Sequence, residues 1–360
     1  MRRMALATLA AIGVTPGDGL GAPLWSRWQA PTPVDTAVAA SERSRLFEAS
    51  DALAVTLTAD FDAIAKERGT EKHDHPGVLA YAVTPADSVK LDVQLHTRGH
   101  FRLRTCPYPP LKVGFDRAQV GHTVFAHQHN LKLVVQCRGS RAYANYLLEE
   151  YLIYRLYNRI TDRSFRVRLV RVTYADARGK REPETRWAFF LEDDDRMARR
   201  NQATVVAEKG ATQDDLDFGQ LGLLAVFEYM VANTDWSAWG LHNIVLIRDS
   251  TLAIYPVPYD FDWSGVIATP YAQPDARLRI TSVRQRLFRG PCRTPEELAV
   301  AFAPFKLQKD SIYALYRTLD GLEPQRVEQA LKYYDEFYRT IDDAGRTERE
   351  FIRSCRVGVP

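Results

Sequence analysis

The segment Asn233–Gly265 constrains the fold of this chain most, because it places polar side chains at both ends of two short apolar runs. The runs Ile244–Ile247 and Leu252–Tyr255 are separated by turn-forming residues, a pattern that predicts a strand–turn–strand. The polar side chains that flank these runs are three acids and one amide: Asp235, Asn243, Asp260 and Asp262. A hairpin brings the residues at its open end together, so the spacing predicts one polar site.

Oxygen ligands of this kind suit Mg²⁺ or Mn²⁺, because these ions prefer carboxylate and amide oxygens to thiols. Asn243 and Asp260 are therefore the predicted metal ligands. Asp235 begins a loop after an apolar helix, where its carboxylate can orient an attacking hydroxyl for phosphoryl transfer. Each of these acids alone is equally typical of a turn, and only their joint arrangement predicts a site.

Phosphate groups also need cations, and Lys132 in the alternating strand LKLVV is the predicted one. A strand lysine that pairs with a glutamate of the following helix is a known clamp for the phosphates of a nucleotide. Glu150 is the predicted partner, although helical phase barely separates it from Glu149. Lys112 is a rival cation, and Lys132 is alternatively a charge that protects an edge strand from aggregation.

A second basic group in the sequence TRGHFRLR contains Arg98, Arg102 and Arg104. Arg102 and Arg104 alternate along the chain, so they would share one face of a strand. We expect Arg98 and Arg102 to cover phosphates in place of a glycine-rich loop. The alternative is a strand face that only meets solvent.

The order of the predicted elements defines the fold class. Strands dominate up to the helix Tyr143–Ile160, two more strands follow, and an acidic run leads to a mostly helical remainder. The strands include residues 89–95, 111–115 and 130–135, and the later helices include residues 295–302 and 309–319. This order predicts an α+β, two-lobed protein-kinase-like fold: a β-rich N-lobe with one main helix over residues 51–195, and a mainly helical C-lobe with a catalytic β-hairpin over residues 196–360. At the connection between the two predicted lobes, Glu192 and Asp193 would lie where the backbone of a kinase contacts adenine, or would cap the next helix.

The residues N-T-D-W, H-N and P-V-P-Y-D-F-D of Asn233–Gly265 resemble the catalytic and metal-binding segments of the spore coat protein H (CotH) kinase family. HipA-type kinases are similar more distantly. The resemblance covers roughly residues 90–290. It implies that Asp235 is catalytic and that Asn243 and Asp260 bind metal, with help from Asp262. His242 fits a structural role in the loop better than base catalysis.

Two departures from ordinary protein kinases bear on these roles. Asn243 follows Asp235 by eight residues, whereas ordinary kinases have five, so the loop must bulge. The spacing therefore supports the catalytic role of Asp235 less strongly than the metal-binding roles of Asn243 and Asp260. The chain also lacks the glycine-rich G-x-G-x-x-G loop, which CotH-like proteins also lack in its standard form.

The predicted function is an atypical kinase that transfers the γ-phosphate of ATP, with Mg²⁺ or Mn²⁺, to a hydroxyl of a protein or a small molecule. One alternative is a nucleotide-binding pseudokinase or structural protein on the same fold. A second is a metal-dependent phosphohydrolase or nucleotidyl transferase that uses the same acids. A net charge of +3 and a pI near 8.6 are too mild to indicate nucleic-acid binding.

The N-terminus predicts export to the periplasm or the exterior, with a cytoplasmic protein as the alternative. Arg2 and Arg3 precede the apolar run Met4–Val14, as in a signal peptide, which we place at residues 1–22. This run is too short to span a bilayer, and no later segment is apolar enough for a transmembrane helix. Residues 23–50 are rich in Pro, Ala and Ser and form a predicted linker.

Cysteine usage is consistent with export. The chain has four cysteines: Cys106, Cys137, Cys292 and Cys355. Their even number permits disulfides in an exported chain, and the sequence leaves the pairing open. None of them belongs to a C-x-x-C pair, so a zinc site is not predicted.

Overall fold

A computed structural model describes residues 45–69 and 71–355 of the chain. The predicted signal peptide, residues 1–22, and most of the predicted linker, residues 23–50, lie outside this described part. Within the linker, Arg45–Glu48 forms a short helix, α1. The described residues all fall in a single compact unit.

Seven of the strands in the described part belong to one barrel and three to a smaller sheet. In chain order the strands are β1 (Leu53–Ala59), β2 (His75–Thr84), β3 (Asp87–Thr97), β4 (Leu111–Phe115), β5 (Asn130–Val135), β6 (Val167–Asp176), β7 (Glu184–Leu191), β8 (Ala203–Val206), β9 (Ile244–Asp249) and β10 (Ile254–Pro258).

The helices include three long ones in the C-terminal half of the chain. After α1 the α-helices are α2 (Phe61–Lys66), α3 (Phe101–Thr105), α4 (Arg117–Val120), α5 (Arg141–Ile160), α6 (Asp194–Arg200), α7 (Phe218–Val231), α8 (Pro295–Thr318), α9 (Pro324–Ile341) and α10 (Ala344–Thr347). Short 3₁₀-helices lie at Gln213–Asp215 and Ala276–Leu278, and a π-helical turn lies at Glu348–Ile352.

The barrel has the strand order β1–β2–β3–β4–β5–β7–β6 and closes where β6 meets β1. The closing pair is parallel, with Val55 opposite Val172, and the other pairs are antiparallel. Alternate side chains point inward, because successive residues of a strand face opposite sides of the sheet. Val55, Leu57, Val170 and Val172 are four of the inward residues that fill the barrel core.

The predicted two-lobed protein-kinase-like fold is wrong, because the β-rich half is a closed barrel rather than an open sheet. Two pairings account for the difference. The strand β2, for which no sequence pattern was found, bridges β1 and β3. The parallel pairing of β1 with β6 then removes the remaining edge. The predicted boundary between residues 195 and 196 falls inside α6.

A second core lies outside the barrel and includes the helices. Tyr151 of α5 packs with Phe189, a residue of β7 that points away from the barrel interior. Tyr157 stacks near Phe227 of α7, with ring centroids 4.2 Å apart. Residues of α8 and α9 join the same cluster, so α5 lies between the barrel wall and the C-terminal helices.

Local predictions fared better than the global one. The strands predicted at residues 89–95, 111–115 and 130–135, the hairpin, and the helix Tyr143–Ile160 are all confirmed, with boundaries that shift by a few residues. Two predicted helices at residues 295–302 and 309–319 are one helix, α8, which continues through Pro304.

Both disulfides of the described part join residues that are distant in sequence, Cys106 with Cys137 and Cys292 with Cys355. Such bonds persist in oxidising compartments. Among residues 45–69 and 71–355, no helix combines the length and apolar character needed to cross a membrane.

Candidate functional site

The open end of the β9–β10 hairpin brings Asn243 and Asp260 together. Ile244 pairs with Pro258, and the backbone N–H of Tyr259 donates to the carbonyl of Asn243 at 3.0 Å. Asn243 and Asp260 both have positive φ angles, of 53° and 64°. Asn and Asp tolerate this left-handed conformation better than most residues, and its occurrence at two polar positions of one hairpin end is typical of a functional site.

Asp235 lies in the loop between α7 and β9 and contacts Asn243, as predicted, and also His242. The Nδ2 group of Asn243 donates to Oδ2 of Asp235 at 3.0 Å and to its carbonyl at 2.7 Å. Nε2 of His242 lies 2.9 Å from Oδ1 of Asp235. This hydrogen bond raises the pKa of His242, although its partial burial acts in the opposite direction.

The lengthened loop is held by contacts of Asn233 and Arg289, two residues without a predicted role. Oδ1 of Asn233 accepts from the backbone N–H of Asp235 at 3.1 Å. Arg289 donates to the carbonyls of Thr234 and Trp236, each at 2.7 Å. Because its carbonyls and its acid are bound from several sides, the bulge expected from the eight-residue spacing is an ordered loop.

Arg102 is the centre of a second group of acids next to the hairpin end. Its guanidinium binds both carboxylate oxygens of Glu150, at 3.0 and 3.1 Å. It also donates to Asp260, and its Nε lies 3.3 Å from Oδ2 of Asp262. Three carboxyl groups from α5 and from the segment after β10 thus share one cation, and its side chain is only 10% exposed.

The pKa values of these acids differ because their surroundings differ. Burial would raise the pKa of Asp260, but Arg102 and then Arg98 outweigh it and hold that pKa below its ordinary value. Burial raises the pKa of Asp262 to about 8, because Asp260 and Glu150 offset much of the attraction of Arg102. Burial also raises the pKa of Glu150. One guanidinium therefore cannot balance three carboxylates.

Two tyrosines complete the group. The hydroxyl of Tyr154 accepts from the backbone N–H of Asp260 at 2.8 Å, and that of Tyr271 donates to Asp262 at 3.0 Å. A signal for Tyr154 existed, because it lies four residues after Glu150 and so shares its helix face. No signal existed for Tyr271, which lies in a segment without regular structure.

The predicted ion pair between Lys132 and Glu150 is not formed. Lys132 binds Asp194 at 2.6 Å and lies over the ring of Tyr259, whereas Glu150 binds Arg102. Lys132 thus lies next to the residue that precedes Asp260, but its charge is already paired. Lys112, the rival cation, is its cross-strand neighbour in β4.

The basic group at residues 98–104 is not one strand. The strand β3 ends at Thr97, Gly99 turns the chain with a φ of 80°, and α3 begins at Phe101. Arg102 therefore points to the acids, while Arg104 is exposed. Arg98 is half-buried, lowers the pKa of Asp260, and has no side-chain hydrogen bond within the described part of the chain.

Glu192 and Asp193 have structural partners. Glu192 is buried and binds Arg200 at 2.9 and 3.1 Å. Asp193 is the N-cap of α6 and accepts from the backbone N–H of Asp195 at 3.2 Å. The capping alternative is thus confirmed for Asp193.

The donor set at the hairpin end fits a hard divalent cation. Because Nδ2 of Asn243 binds Asp235, its Oδ1 is left for a ligand, and Arg102 donates to Oδ1 of Asp260, so that its Oδ2 has no hydrogen bond within the described residues. Within the described residues, no group of three His, Cys, Asp or Glu side chains is arranged to hold a metal. A Mg²⁺ ion needs only one or two protein ligands when phosphates and water supply the rest.

Comparison with known proteins does not assign the chain to a family. No protein-family model matches it, and no curated protein sequence matches it. The resemblance to the CotH kinase family therefore depends on the motif residues alone.

Proposed function

We propose that this protein is a metal-dependent phosphotransferase that moves the γ-phosphate of ATP to a hydroxyl of a protein or a small molecule. The observation that carries the proposal is the contact between Asp235 and Asn243 at the hairpin end that also holds Asp260. Phosphoryl transfer requires a positioned acceptor, oxygen ligands for metal, and cations for phosphate. The proposal depends on these side chains and not on a kinase-like fold.

Asn243 and Asp260 would hold Mg²⁺ through Oδ1 and a carboxylate oxygen. When bound, this ion neutralises charge on the β- and γ-phosphates during transfer. The excess of acid around Arg102 supports a site for additional positive charge, because the pKa values of Glu150 and Asp262 are raised even though Arg102 lies beside both acids.

Asp235 orients the acceptor hydroxyl and accepts its proton. Its side chain is 34% exposed, so an acceptor can reach it, and both of its oxygens are fixed by His242 and Asn243. A positioned carboxylate of this kind is the base of phosphotransferases that act on hydroxyls.

Arg98 is the cation that we assign to the phosphates. It lies near Asp260, and its guanidinium has no hydrogen-bond partner among the described residues. Arg102 has a different role, since three carboxylates occupy it: it positions Asp260 rather than facing phosphate.

A metal-dependent phosphohydrolase is the second candidate, and His242 favours it. Asp235 holds one nitrogen of this imidazole, and the side chain is 59% exposed. An imidazole that is oriented by a carboxylate can exchange a proton with a water molecule at its other nitrogen.

One assay separates the two candidates. The full protein is incubated with γ-labelled ATP and Mg²⁺, and the label is followed to protein, to small hydroxyl compounds, or to free phosphate. Calorimetry measures ATP affinity with and without Mg²⁺. We expect Asp260→Asn to weaken Mg²⁺-dependent ATP binding about tenfold or more, because a charged ligand is lost. We expect Asp235→Asn to keep binding and to slow transfer about 10²-fold or more.

The control is Asp87→Asn, which removes an exposed acid at the end of β3 opposite to Arg98 and should change neither quantity. Absence of Mg²⁺-dependent ATP binding by the unaltered protein contradicts the proposal. Full Mg²⁺-dependent binding by Asp260→Asn contradicts the metal assignment. Release of free phosphate without an acceptor product selects the phosphohydrolase.

A further inference from the structure

A cavity of about 320 Å³ lies at one end of the β-barrel and shares no lining residue with the candidate functional site. Most of its lining is apolar or aromatic: Phe61, Ile64, Tyr108, Leu111 and Tyr174. The mouths of β-barrels are common places for small-molecule sites, and this volume lies at the lower end of the range for such sites.

The walls of this cavity, which we call the barrel mouth, are fixed by several contacts. Helix α2 follows β1 directly and turns Phe61 and Ile64 into the barrel core. Arg68 donates to the carbonyls of Leu103, Cys106 and Pro107, and so ties the end of α2 to the opposite wall. The Cys106–Cys137 disulfide holds that wall to the end of β5. A ligand would therefore meet a preformed site, which lowers the entropic cost of binding.

Tyr174 has an unsatisfied polar atom in this apolar lining. Its side chain comes from β6, is 5% exposed, and packs between the rings of Phe61 and Tyr108, each with a centroid distance of 5.3 Å. Its hydroxyl has no hydrogen-bond partner within residues 45–69 and 71–355. Buried polar groups are almost always paired, so the unpaired hydroxyl indicates a missing acceptor.

Two features define the acceptor. Burial raises the pKa of Tyr174, so the hydroxyl keeps its proton and donates. Two arginines, Arg68 and Arg181, line the cavity, and no lining residue is acidic. Arg181 pairs with Asp62, whereas Arg68 has no acidic partner among the described residues. An aromatic ring fits the tyrosine and phenylalanine rings, and an anionic oxygen fits the hydroxyl and the basic lining.

We propose that the barrel mouth binds a small aromatic carboxylate, with its ring against the aromatic side chains that line the cavity and a carboxylate oxygen that accepts from the Tyr174 hydroxyl. This site does not depend on the proposed phosphotransferase activity, and it survives if that activity is absent.

Titration of the full protein with the fluorescent probe 2-naphthoate tests the proposal, with neutral 2-naphthamide as the matched compound. We expect saturable binding of the carboxylate and weaker binding of the amide. Tyr174→Phe removes only the hydroxyl and should weaken naphthoate binding about fivefold. Ala65→Trp places a large ring in the cavity lining and should abolish binding, whereas Lys66→Trp, on the exposed side of the same helix, should not.

Circular dichroism and thermal unfolding establish that each variant is folded. If Ala65→Trp is unfolded, Tyr174→Phe still tests the proposal. No saturable naphthoate binding overturns the proposal, as does equal affinity in Ala65→Trp or Tyr174→Phe. Equal affinity for the amide overturns the assignment of an anionic ligand.

Discussion

At the scale of single residues, Arg102 determines the electrostatics of the candidate site. Its guanidinium meets Glu150, Asp260 and Asp262, of which Glu150 is 2% and Asp262 is 9% exposed. Buried acids without a cation are costly, because burial disfavours the charged form and like charges repel. The exchange of one arginine therefore changes the protonation of a whole cluster.

We predict that Arg102→Ala lowers the free energy of unfolding by about 3–5 kcal/mol near neutral pH, because it leaves buried carboxylates without a partner. The loss should shrink as the pH falls. Removal of the cation raises the folded-state pKa of Asp260 and its neighbours, so the variant loses stability relative to the unaltered protein as the pH rises through those values. Urea denaturation at about pH 5 and about pH 8 measures both effects.

Arg104→Ala is the matched control, because Arg104 belongs to the same short helix but is exposed. It should change the free energy of unfolding by no more than about 0.5 kcal/mol at either pH. A loss for Arg102→Ala that is equally small, or that does not depend on pH, would show that the acids do not rely on this guanidinium.

At the scale of elements, the helix α3 is too short to be stable alone, and tertiary contacts hold it. Cys106 follows its last residue, Thr105, and binds Cys137 beyond the end of β5. Arg68 binds carbonyls on the same segment. The position of Arg102 therefore depends on bonds formed at the C-terminal end of its helix.

We predict that Cys106→Ser combined with Cys137→Ser lowers the free energy of unfolding by about 3–4 kcal/mol, from the entropy of the freed loop. The closed segment has a sequence separation of 31. The amides of residues 101–105 should also exchange hydrogen faster, because α3 loses its anchor. Urea denaturation and hydrogen-exchange mass spectrometry measure the two effects.

The second disulfide provides the control. Cys292→Ser with Cys355→Ser should cost about 4 kcal/mol, since its sequence separation is 63, and leave exchange at residues 101–105 unchanged. Equal exchange at α3 in both double variants would mean that the first disulfide does not hold the helix in place.

At the scale of the whole molecule, the closure of the barrel distinguishes this fold from the expected one. The closing strands are far apart in sequence, and Thr56 of β1 lies opposite Thr173 of β6. Thr173 in turn lies opposite Thr185 of β7, and their hydroxyl oxygens are 2.8 Å apart. Neighbouring strands lie about 4.8 Å apart, so β1 and β7 are separated by about 10 Å.

We predict that Thr56→Cys with Thr173→Cys forms a disulfide under mild oxidation, because adjacent strands place the two Cα atoms within bonding range. Peptide mapping by mass spectrometry detects the bond. The pair is chosen on the outer surface, so the barrel core is not disturbed.

Thr56→Cys with Thr185→Cys is the matched control, since β6 separates these strands and the Cα atoms are too far apart to be bridged. A bond in the control pair, or none in the first pair, would contradict the closed barrel.

The local elements were predictable because their signals are local. The alternation in Val89–Leu95 and the apolar face of Tyr143–Ile160 reflect burial over a few residues, and both elements formed. The strand β2 was not predicted because Pro76 and Gly77, which follow its first residue His75, usually mark turns. In the structure Gly77 allows close approach, since a Cβ atom there would lie 3.1 Å from Leu95 and from the carbonyl of Thr58.

The candidate site was predictable in its chemistry and less so in its pairing. Asp235 and Asn243 meet as their spacing suggested, because both belong to one loop and hairpin. Lys132 and Glu150 do not meet, because the barrel directs Lys132 to Asp194 and leaves Glu150 to Arg102. No sequence pattern distinguished these partners.

Sequence patterns alone are enough to predict the strands and helices with strong periodicity and the set of oxygen-bearing side chains around one hairpin. The closure of the sheet, and the contact of Arg102 with acids such as Asp260, 158 positions away, follow from the tertiary packing. The two kinds of feature differ in the sequence separation over which the responsible interactions act. Periodicity and turn chemistry act between near neighbours along the chain, whereas strand closure and ion pairing depend on which distant segments share space after the cores have packed.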